Sequence, residues 1–214
     1  MGGCQADQLK DILARRAVKA LRDTRFTDKE ASAATLESDV LSDDVIPLCA
    51  AFAAQDSGDA RQALRLLSKA CETSKQANEE TVTEEHVRHA KAQLERDRVG
   101  ESIRAETTQR KLALLTVVAA ARNGETPAET SDLYDTYLDF SEAVGTDTLI
   151  EHTFREKLND LEHSGLLEKD RHGRGRGRGI TNTYALLVDV ETALENLAND
   201  EDNRFRELAR SLRS

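Results

Sequence analysis

The sequence predicts a mainly α-helical protein, and three observations lead to this fold class. Apolar residues recur at spacings of three and four over most of the chain, which is the periodicity of amphipathic helices. Only two prolines occur in 214 residues, and five of the 11 glycines are crowded between positions 165 and 179, so long stretches lack helix breakers. Aromatic residues make up 4% of the chain and tryptophan is absent, so we expect lean, aliphatic cores.

The first half of the chain predicts a small bundle of four helices joined by short connections. The apolar periodicity and the capping residues place these helices at about 6–21, 43–55, 59–75 and 84–98. Residues 23–41 are polar and irregular, and they predict a loop with at most one weak turn.

The second half predicts three helices, a β-hairpin and a final short helix. Helical periodicity ends at Asn123-Gly124 for the first of these helices and at Ser164-Gly165 for the third. Two short apolar runs then flank a basic, glycine-rich segment, which is the pattern of strand, turn and strand. A helix near 190–197 and a charged tail from 199 complete the chain. Three helices followed by a β-hairpin is the order of a winged-helix domain, in which the hairpin forms the wing.

The turn of this hairpin, residues 171–179 (RHGRGRGRG), concentrates positive charge on a chain whose formal net charge is −10. The basic residues are Arg171, His172, Arg174, Arg176 and Arg178. A guanidinium can form a bidentate contact with a phosphate, and the interleaved glycines let the backbone come close to a duplex. We therefore expect these five residues to bind DNA. The alternative is a flexible arginine-glycine loop that binds nothing.

The overall charge of the chain opposes DNA binding at long range. Forty acidic residues exceed 30 basic ones, so binding would depend on a local basic patch. Only nine of the basic residues are lysine. An acidic, arginine-rich and aromatic-poor composition is typical of proteins from halophiles that accumulate salt. An ordinary acidic cytosolic protein is the alternative.

Composition also bears on compartment and on metal binding. Cys4, Cys49 and Cys71 are widely spaced without a CxxC motif, which predicts reduced thiols in a cytoplasmic, nucleoid-associated protein. No apolar run approaches the ~20 residues of a membrane span, and no signal peptide is apparent, so we expect no membrane partner. His86 and His89 lie near Cys71 in the predicted bundle, but a fourth ligand is missing, so we expect no metal.

Several sequence blocks carry a resemblance to a known family. The blocks in the first half are 7–13 (DQLKDIL), 42–46 (SDDVI), 58–64 (GDARQAL) and 81–87 (TVTEEHV). They resemble the lid domain of the archaeal origin-recognition initiators, AAA+ relatives of the eukaryotic origin-recognition and cell-division-control ATPases. Residues 109–115 and 158–166 resemble the C-terminal winged helix of the same family. The implied organisation is a four-helix lid at 1–98, a linker at 99–107, a winged-helix domain at 108–198 and a charged tail at 199–214. Residues 99–107 are polar, and a continuation of the fourth helix is the alternative to a linker.

The resemblance also implies where the winged helix would meet DNA. The recognition helix is predicted at 150–163, and its expected DNA-binding residues are His152, Thr153, Arg155 and Asn159, beside Glu151 and Glu156. Arg155 is suited to read guanine, and His152 or Thr153 to hold phosphates. From 149 to 163 the segment carries four acidic and two basic residues, so a solvated acidic face is the alternative.

Members of the family carry an N-terminal nucleotide-binding core, and Arg61 falls on the arginine that reaches ATP from the lid. The sequence contains no G-x-x-x-x-G-K-[ST] motif, and the chain begins about where that core would end. We therefore expect no ATP hydrolysis and no cofactor, with ATP bound only if a core is supplied in trans. Arg61 is then expected to be a relic that pairs with a surface acid.

The sequence thus predicts a non-enzymatic protein that binds double-stranded DNA and is related to archaeal replication initiators. Two alternatives remain open. The lid bundle can be an interaction module that regulates a full-length initiator. The chain can also be a winged-helix transcription regulator that dimerises through its N-terminal bundle.

Overall fold

Amphipathic helices account for most of the structure, which confirms the mainly α-helical fold class. The computed structural model describes residues 2–29, 31–56, 58–173 and 180–213. The chain divides into two units, Met1–Glu95 and Arg96–Ser214, each with its own apolar core.

The first unit is built from helices and one small hairpin. Its elements are α1 (Gly2–Ala20), β1 (Thr24–Phe26), β2 (Leu36–Ser38), α2 (Val45–Asp56), α3 (Ala60–Gln76) and the start of α4 (Glu84–Ala105). Each helix turns its apolar stripe inward, where Leu13, Val45, Cys49, Ala63 and Val87 are fully buried. The core is made of leucine, valine and alanine, as the aromatic-poor composition predicts.

The prediction of a loop at 23–41 was wrong, because this segment contains the antiparallel pair β1–β2. Thr24 lies opposite Ser38, and their hydroxyl oxygens are 2.8 Å apart. On the next pair Arg25 Nη2 donates to Glu37 Oε2 at 2.9 Å. Each strand has only three residues and is held by polar cross-strand pairs. The alternation of apolar and polar residues that identifies a strand is therefore missing from the sequence.

Most of the segment 99–107 continues the fourth helix, which is one of the two alternatives left open by the sequence, and it does not form a linker. Helix α4 continues to Ala105, and the boundary between the two units falls within it. Ile103 is buried in the core of the second unit. The segment 96–102 has little apolar periodicity, so the helix is not visible there from its sequence pattern.

The second unit has the order of a winged-helix domain. Its elements after α4 are α5 (Thr108–Arg122), β3 (Ala128–Glu129), α6 (Thr130–Val144), α7 (Glu151–His163), β4 (Leu167–Gly173), β5 (Ile180–Leu186), α8 (Val190–Leu197) and α9 (Asn203–Ser211). The three strands form an antiparallel sheet in the order β3-β5-β4. The buried helix α5 packs against α6, α7, α8 and β5, and so forms the centre of the unit.

The segment 199–214 is not merely a charged tail, because it contains α9. The side chain of Asp202 accepts a hydrogen bond from the backbone N–H of Arg204 and caps the helix. Phe205 and Ala209, one helical turn apart, are buried in the core of the second unit. Most of the other residues of α9 are charged or polar, so the composition of this segment does not indicate a helix with a buried side.

Candidate nucleic-acid interface

Helix α7 presents one apolar and one polar face. Phe154, Leu158 and Leu161 follow each other at helical spacing and are completely buried against the core. On the other side Glu151 and His152 are exposed. The predicted recognition helix therefore has an exposed face near its N-terminus, and Thr153 lies half-buried at its edge.

The turn that leads into α7 is held by hydrogen bonds to the neighbouring helix α6. The hydroxyl of Tyr137 accepts from the backbone N–H of Leu149 at 3.1 Å, and the hydroxyl of Tyr134 donates to the Leu149 carbonyl at 2.8 Å. Tyr137 in turn donates to Gln109 Oε1 at 2.6 Å, and Gln109 Nε2 donates to the carbonyl of Asp147 at 2.7 Å. The backbone at the start of α7 is therefore fixed by the folded unit itself.

The charged side chains of α7 pair with one another along the helix. Arg155 Nη2 lies 3.1 Å from Glu151 Oε1, and His152 Nδ1 lies 3.8 Å from Glu156 Oε1, both pairs four residues apart. These exposed pairs contribute little to stability. Their consequence is electrostatic, because the basic groups expected to meet DNA each have a carboxylate beside them.

Asn159 serves the packing of the unit. Its Oδ1 accepts hydrogen bonds from Lys169 Nζ on β4 at 2.7 Å and from the hydroxyl of Tyr184 on β5 at 3.0 Å. Burial raises the pKa of Tyr184, so the phenol remains protonated and able to donate. The side-chain oxygen predicted to meet DNA thus joins α7 to the hairpin.

The β4–β5 hairpin has the shape expected of a wing. Its antiparallel register runs from Leu167 opposite Leu186 to Gly173 opposite Ile180. Arg171 lies on β4 with an exposed side chain, opposite Asn182. His172 is on the same strand, but its side chain lies outside the described part of the structure, as do Arg174, Arg176 and Arg178. Their predicted contacts with DNA stay predictions.

A polar cleft of about 220 Å³ lies where α6, α7 and β5 meet. Its lining residues are Glu129, Thr130, Ser131, Glu151, Arg155, Thr181 and Asn182. Thr130 and Ser131 are the first residues of α6, and the first N–H groups of any helix have no partner within it. Sequence reasoning missed this side of the site, because β3 has only two residues and places the start of α6 here.

An ion-pair network holds α7 against α5 from behind. Arg110 Nε and Nη2 lie 3.0 and 2.7 Å from Asp160 Oδ2, and its Nη1 lies 3.1 Å from Glu106 Oε2. The hydrogen bonds to Asp160 and Glu106 raise the pKa of Arg110 above its ordinary value. A permanently charged guanidinium therefore fixes the orientation of α7 on the core.

In the first unit Arg61 and His86 lie near the starts of two different helices, α3 and α4. Arg61 lies in the first turn of α3 with an exposed side chain, and its backbone N–H donates to Asp59 Oδ1. His86 Nδ1 accepts from the backbone N–H of Thr83 at 3.1 Å, so this histidine caps α4.

Burial raises the pKa of Cys49 to about 12, which keeps this thiol protonated. Over the described residues, no three potential metal ligands come together. Within the same residues no helix is long and apolar enough to span a membrane.

Known proteins match both units of the chain. Residues 29–92 match the family model of the Cdc6 AAA+ ATPase-type lid domain, and residues 101–196 match that of the CDC6 C-terminal winged helix domain. ORC1-type DNA replication protein 1 of Haloarcula marismortui is 36% identical over 203 residues, which are 95% of this chain and 47% of that protein. ORC1-type DNA replication protein 7 of Halobacterium salinarum is 37% identical over 186 residues, which are 87% of this chain and 33% of that protein.

A solved structure matches as well. The Aeropyrum pernix ORC1 protein in complex with DNA has a TM-score of 0.75 and 34% identity to this chain, and the match covers 92% of this chain and 47% of that one. The chain thus spans a third to about half of the length of these relatives. The halophilic source that the composition predicted fits the Haloarcula and Halobacterium relatives.

A helical lid followed by a winged helix is the pair of domains that these two family models describe, an AAA+ ATPase-type lid and a C-terminal winged helix. In both domains the chain belongs to the ORC1/Cdc6 family, which confirms the resemblance seen in the sequence.

Proposed function

We propose that this chain binds double-stranded DNA, with α7 in the major groove and the β4–β5 hairpin along the flanking backbone. The observation that carries the proposal is the convergence of three elements on one polar surface. The exposed turn of α7, the first residues of α6 and strand β5 line a single cleft. Helix N-termini bind phosphate groups, and recognition helices read base edges with their N-terminal residues.

The match to an ORC1 protein in complex with DNA supports this proposal. The basic segment 171–179 supports it by charge, because it supplies Arg171, exposed on β4, and three further arginines that follow in the sequence. Since the whole chain carries a net charge of −10, binding should depend on this local patch and on close fit.

Fluorescence anisotropy of labelled 30-base-pair duplexes over a series of salt concentrations tests the proposal. Changing Arg174, Arg176 and Arg178 together to alanine is expected to weaken binding and to reduce the log-log salt slope by about one unit for each arginine that binds a phosphate in the wild type. The matched control removes three exposed basic residues of α1, Arg15, Arg16 and Lys19, and should leave the slope nearly unchanged. If neither the wild type nor the control binds any duplex from low to high salt, the proposal fails.

We also propose that the 214-residue chain does not itself hydrolyse ATP and needs no cofactor. The sequence carries no P-loop motif, and without a phosphate cradle phosphoryl transfer has no means of orienting the nucleotide. Release of inorganic phosphate from radiolabelled ATP tests this, and turnover of ATP by the purified chain would contradict it.

A second candidate function follows from the lid match. The lid unit, with Arg61 exposed in the first turn of α3, supports docking on a full-length initiator whose ATP turnover it regulates. The test adds the chain and its Arg61→Ala variant to such an initiator and measures ATP hydrolysis. If the initiator hydrolyses ATP at the same rate with the wild-type chain and with Arg61→Ala, Arg61 has no part in this regulation.

A further inference from the structure

Ile150 departs from the local rules for the start of a helix. It is the N-cap residue of α7, where serine, threonine, aspartate and asparagine are preferred because their side chains accept a hydrogen bond from the first turn. Isoleucine cannot form that bond, and an apolar residue in this place costs about 1 kcal/mol relative to a good cap. The side chain is 69% exposed, so water surrounds most of it.

Packing inside the unit does not account for this residue. The apolar contact that commonly fixes the chain where it enters a helix joins the residue before the N-cap to the fourth residue of the helix. In α7 these are Leu149, which packs against the core, and Phe154, which is part of that core. Leu149 therefore provides the apolar contact, and Ile150 is directed to the surface.

The position of Ile150 places it within the candidate interface. It precedes Glu151, which lines the polar cleft, and lies beside the exposed His152. The Tyr134 hydroxyl donates to the Leu149 carbonyl and the Tyr137 hydroxyl accepts from the Leu149 N–H, and these bonds fix the residue directly before Ile150. An exposed apolar side chain is thus held in a defined place at the end of the helix that is expected to enter the major groove.

We propose that Ile150 reads sequence by contacting the C5-methyl group of a thymine. This inference rests on the proposed function, because it requires α7 to lie in the major groove. Among the base edges of that groove, the thymine methyl is the one apolar group, and aliphatic side chains contact it. Departures from local structural rules in natural proteins are expected at functional or strained sites. Ile150 is therefore a specificity-determining residue that favours a thymine at one position of the DNA site.

The test begins with selection of bound duplexes from a pool with 20 random base pairs, using the full chain. In the selected duplex each thymine is then replaced by uracil, one at a time, which removes only the methyl group. For the wild type we expect one such replacement to weaken binding about fourfold, as befits the burial of one methyl-sized group. For Ile150→Ser we expect the same duplex to bind equally well with thymine or uracil at that position.

Serine is chosen because it is a good N-cap, so the variant keeps α7 folded. The matched control is Leu187→Ser, which makes a similar apolar-to-polar change at a side chain 56% exposed in the same unit. Leu187 hydrogen-bonds to Leu166 beyond the C-terminal end of α7, about 20 Å of helix from Ile150. This control should retain the preference for thymine over uracil.

The possible outcomes separate the two proposals. If the wild type binds no duplex, the proposed function fails and this inference fails with it. If the wild type binds but selection yields no consensus, or no thymine replacement changes its affinity, DNA binding stands and the role of Ile150 is overturned. Retention of the full thymine preference by Ile150→Ser overturns it in the same way, as does an equal loss of affinity for the thymine and uracil duplexes.

Discussion

At the scale of single residues, the recognition surface is defined by charges that cancel. Arg155 has the length and the exposed position needed to reach a guanine or a phosphate, but in the free protein its guanidinium lies beside the Glu151 carboxylate. In the proposed binding mode DNA therefore competes with Glu151 for Arg155, and its phosphates also meet the negative charge of Glu151 itself. Affinity for DNA is then expected to depend on Glu151 as much as on Arg155.

Replacing Glu151 by glutamine should strengthen DNA binding. The change removes one negative charge from the cleft and frees Arg155, so we expect about twofold to fivefold tighter binding, a gain similar to that of one partly exposed charge contact. Anisotropy titrations at low salt measure it. Glu101→Gln, an exposed acid of the same unit on α4, serves as the control and should change affinity little. Weaker binding of Glu151→Gln would show that the carboxylate itself contacts a base.

Part of the candidate site could be predicted from the sequence, and the rest depends on contacts between distant residues. The exposed positions of Glu151 and His152 follow from helical periodicity, because Phe154, Leu158 and Leu161 fix which side is buried. The hydrogen bonds of Asn159 to the β4–β5 hairpin cannot be predicted in this way, because its partners Lys169 and Tyr184 are 10 and 25 residues away in the sequence. A single chain carries no local signal for such a pairing.

At the scale of elements, α9 shows how a helix with few apolar residues is held. Phe205 is 1% exposed and completes the core beside Val144 and Leu197, while charged side chains cover the rest of the helix. The short strands escape prediction for a related reason. A strand of two or three residues, such as β3, is too short to display an alternation of apolar and polar positions.

Truncation of Phe205 to alanine should destabilise the second unit. Removal of a buried phenyl ring costs about 3–5 kcal/mol in the free energy of unfolding, since transfer and cavity terms add. Urea denaturation followed by circular dichroism measures the change. Arg210→Ala, on the exposed side of the same helix, should alter stability by less than about 0.5 kcal/mol. A similarly small effect of Phe205→Ala would show that α9 does not pack as described.

The ion pair between Lys111 on α5 and Asp200 before α9 makes stability depend on pH. Lys111 Nζ lies 2.6 Å from Asp200 Oδ2, and both side chains are nearly buried. Burial acts to raise the pKa of Asp200, but the hydrogen bonds from Lys111 and from the backbone N–H of Asp202 outweigh it, so the pKa is lowered below 3.8. A lowered folded-state pKa stabilises the fold above pH 3.8, and this contribution is lost as the pH falls through the folded-state value.

Asp200→Asn should therefore be less stable than the wild type at pH 7, and the difference should shrink as the pH falls below 3.8 towards the lowered pKa of Asp200. Urea denaturation at several pH values gives this comparison. Asp170→Asn, at an exposed position of β4, is the control, and we expect it to match the wild type throughout. A difference that persists unchanged to the lowest pH would exclude the ion pair as its cause.

At the scale of the whole molecule, the excess of ten negative charges sets the conditions under which the protein folds and binds. Like charges repel in the folded state, and salt shortens the range of this repulsion from about 10 Å at 0.1 M to about 3 Å at 1 M. The same salt weakens contacts between arginine and phosphate. Folding and the proposed DNA binding are thus expected to respond to salt in opposite directions.

The melting temperature should accordingly rise as KCl is increased from about 0.1 to 1 M. Differential scanning calorimetry at pH 7.5 measures the rise. The effect should be much smaller near pH 5.1, where the sequence predicts a net charge close to zero. A melting temperature that falls with KCl at pH 7.5 would show that surface ion pairs outweigh the net repulsion.

The tyrosine contacts to Leu149 have a kinetic consequence. Because Tyr134 and Tyr137 order the turn before α7 when the unit folds, the helix need not rearrange when it meets a duplex. The association rate is then set by diffusion and charge, and it should be similar for favoured and unfavoured DNA sequences. Discrimination between sequences would reside in the lifetime of the complex, with a favoured site recognised because the protein leaves it slowly.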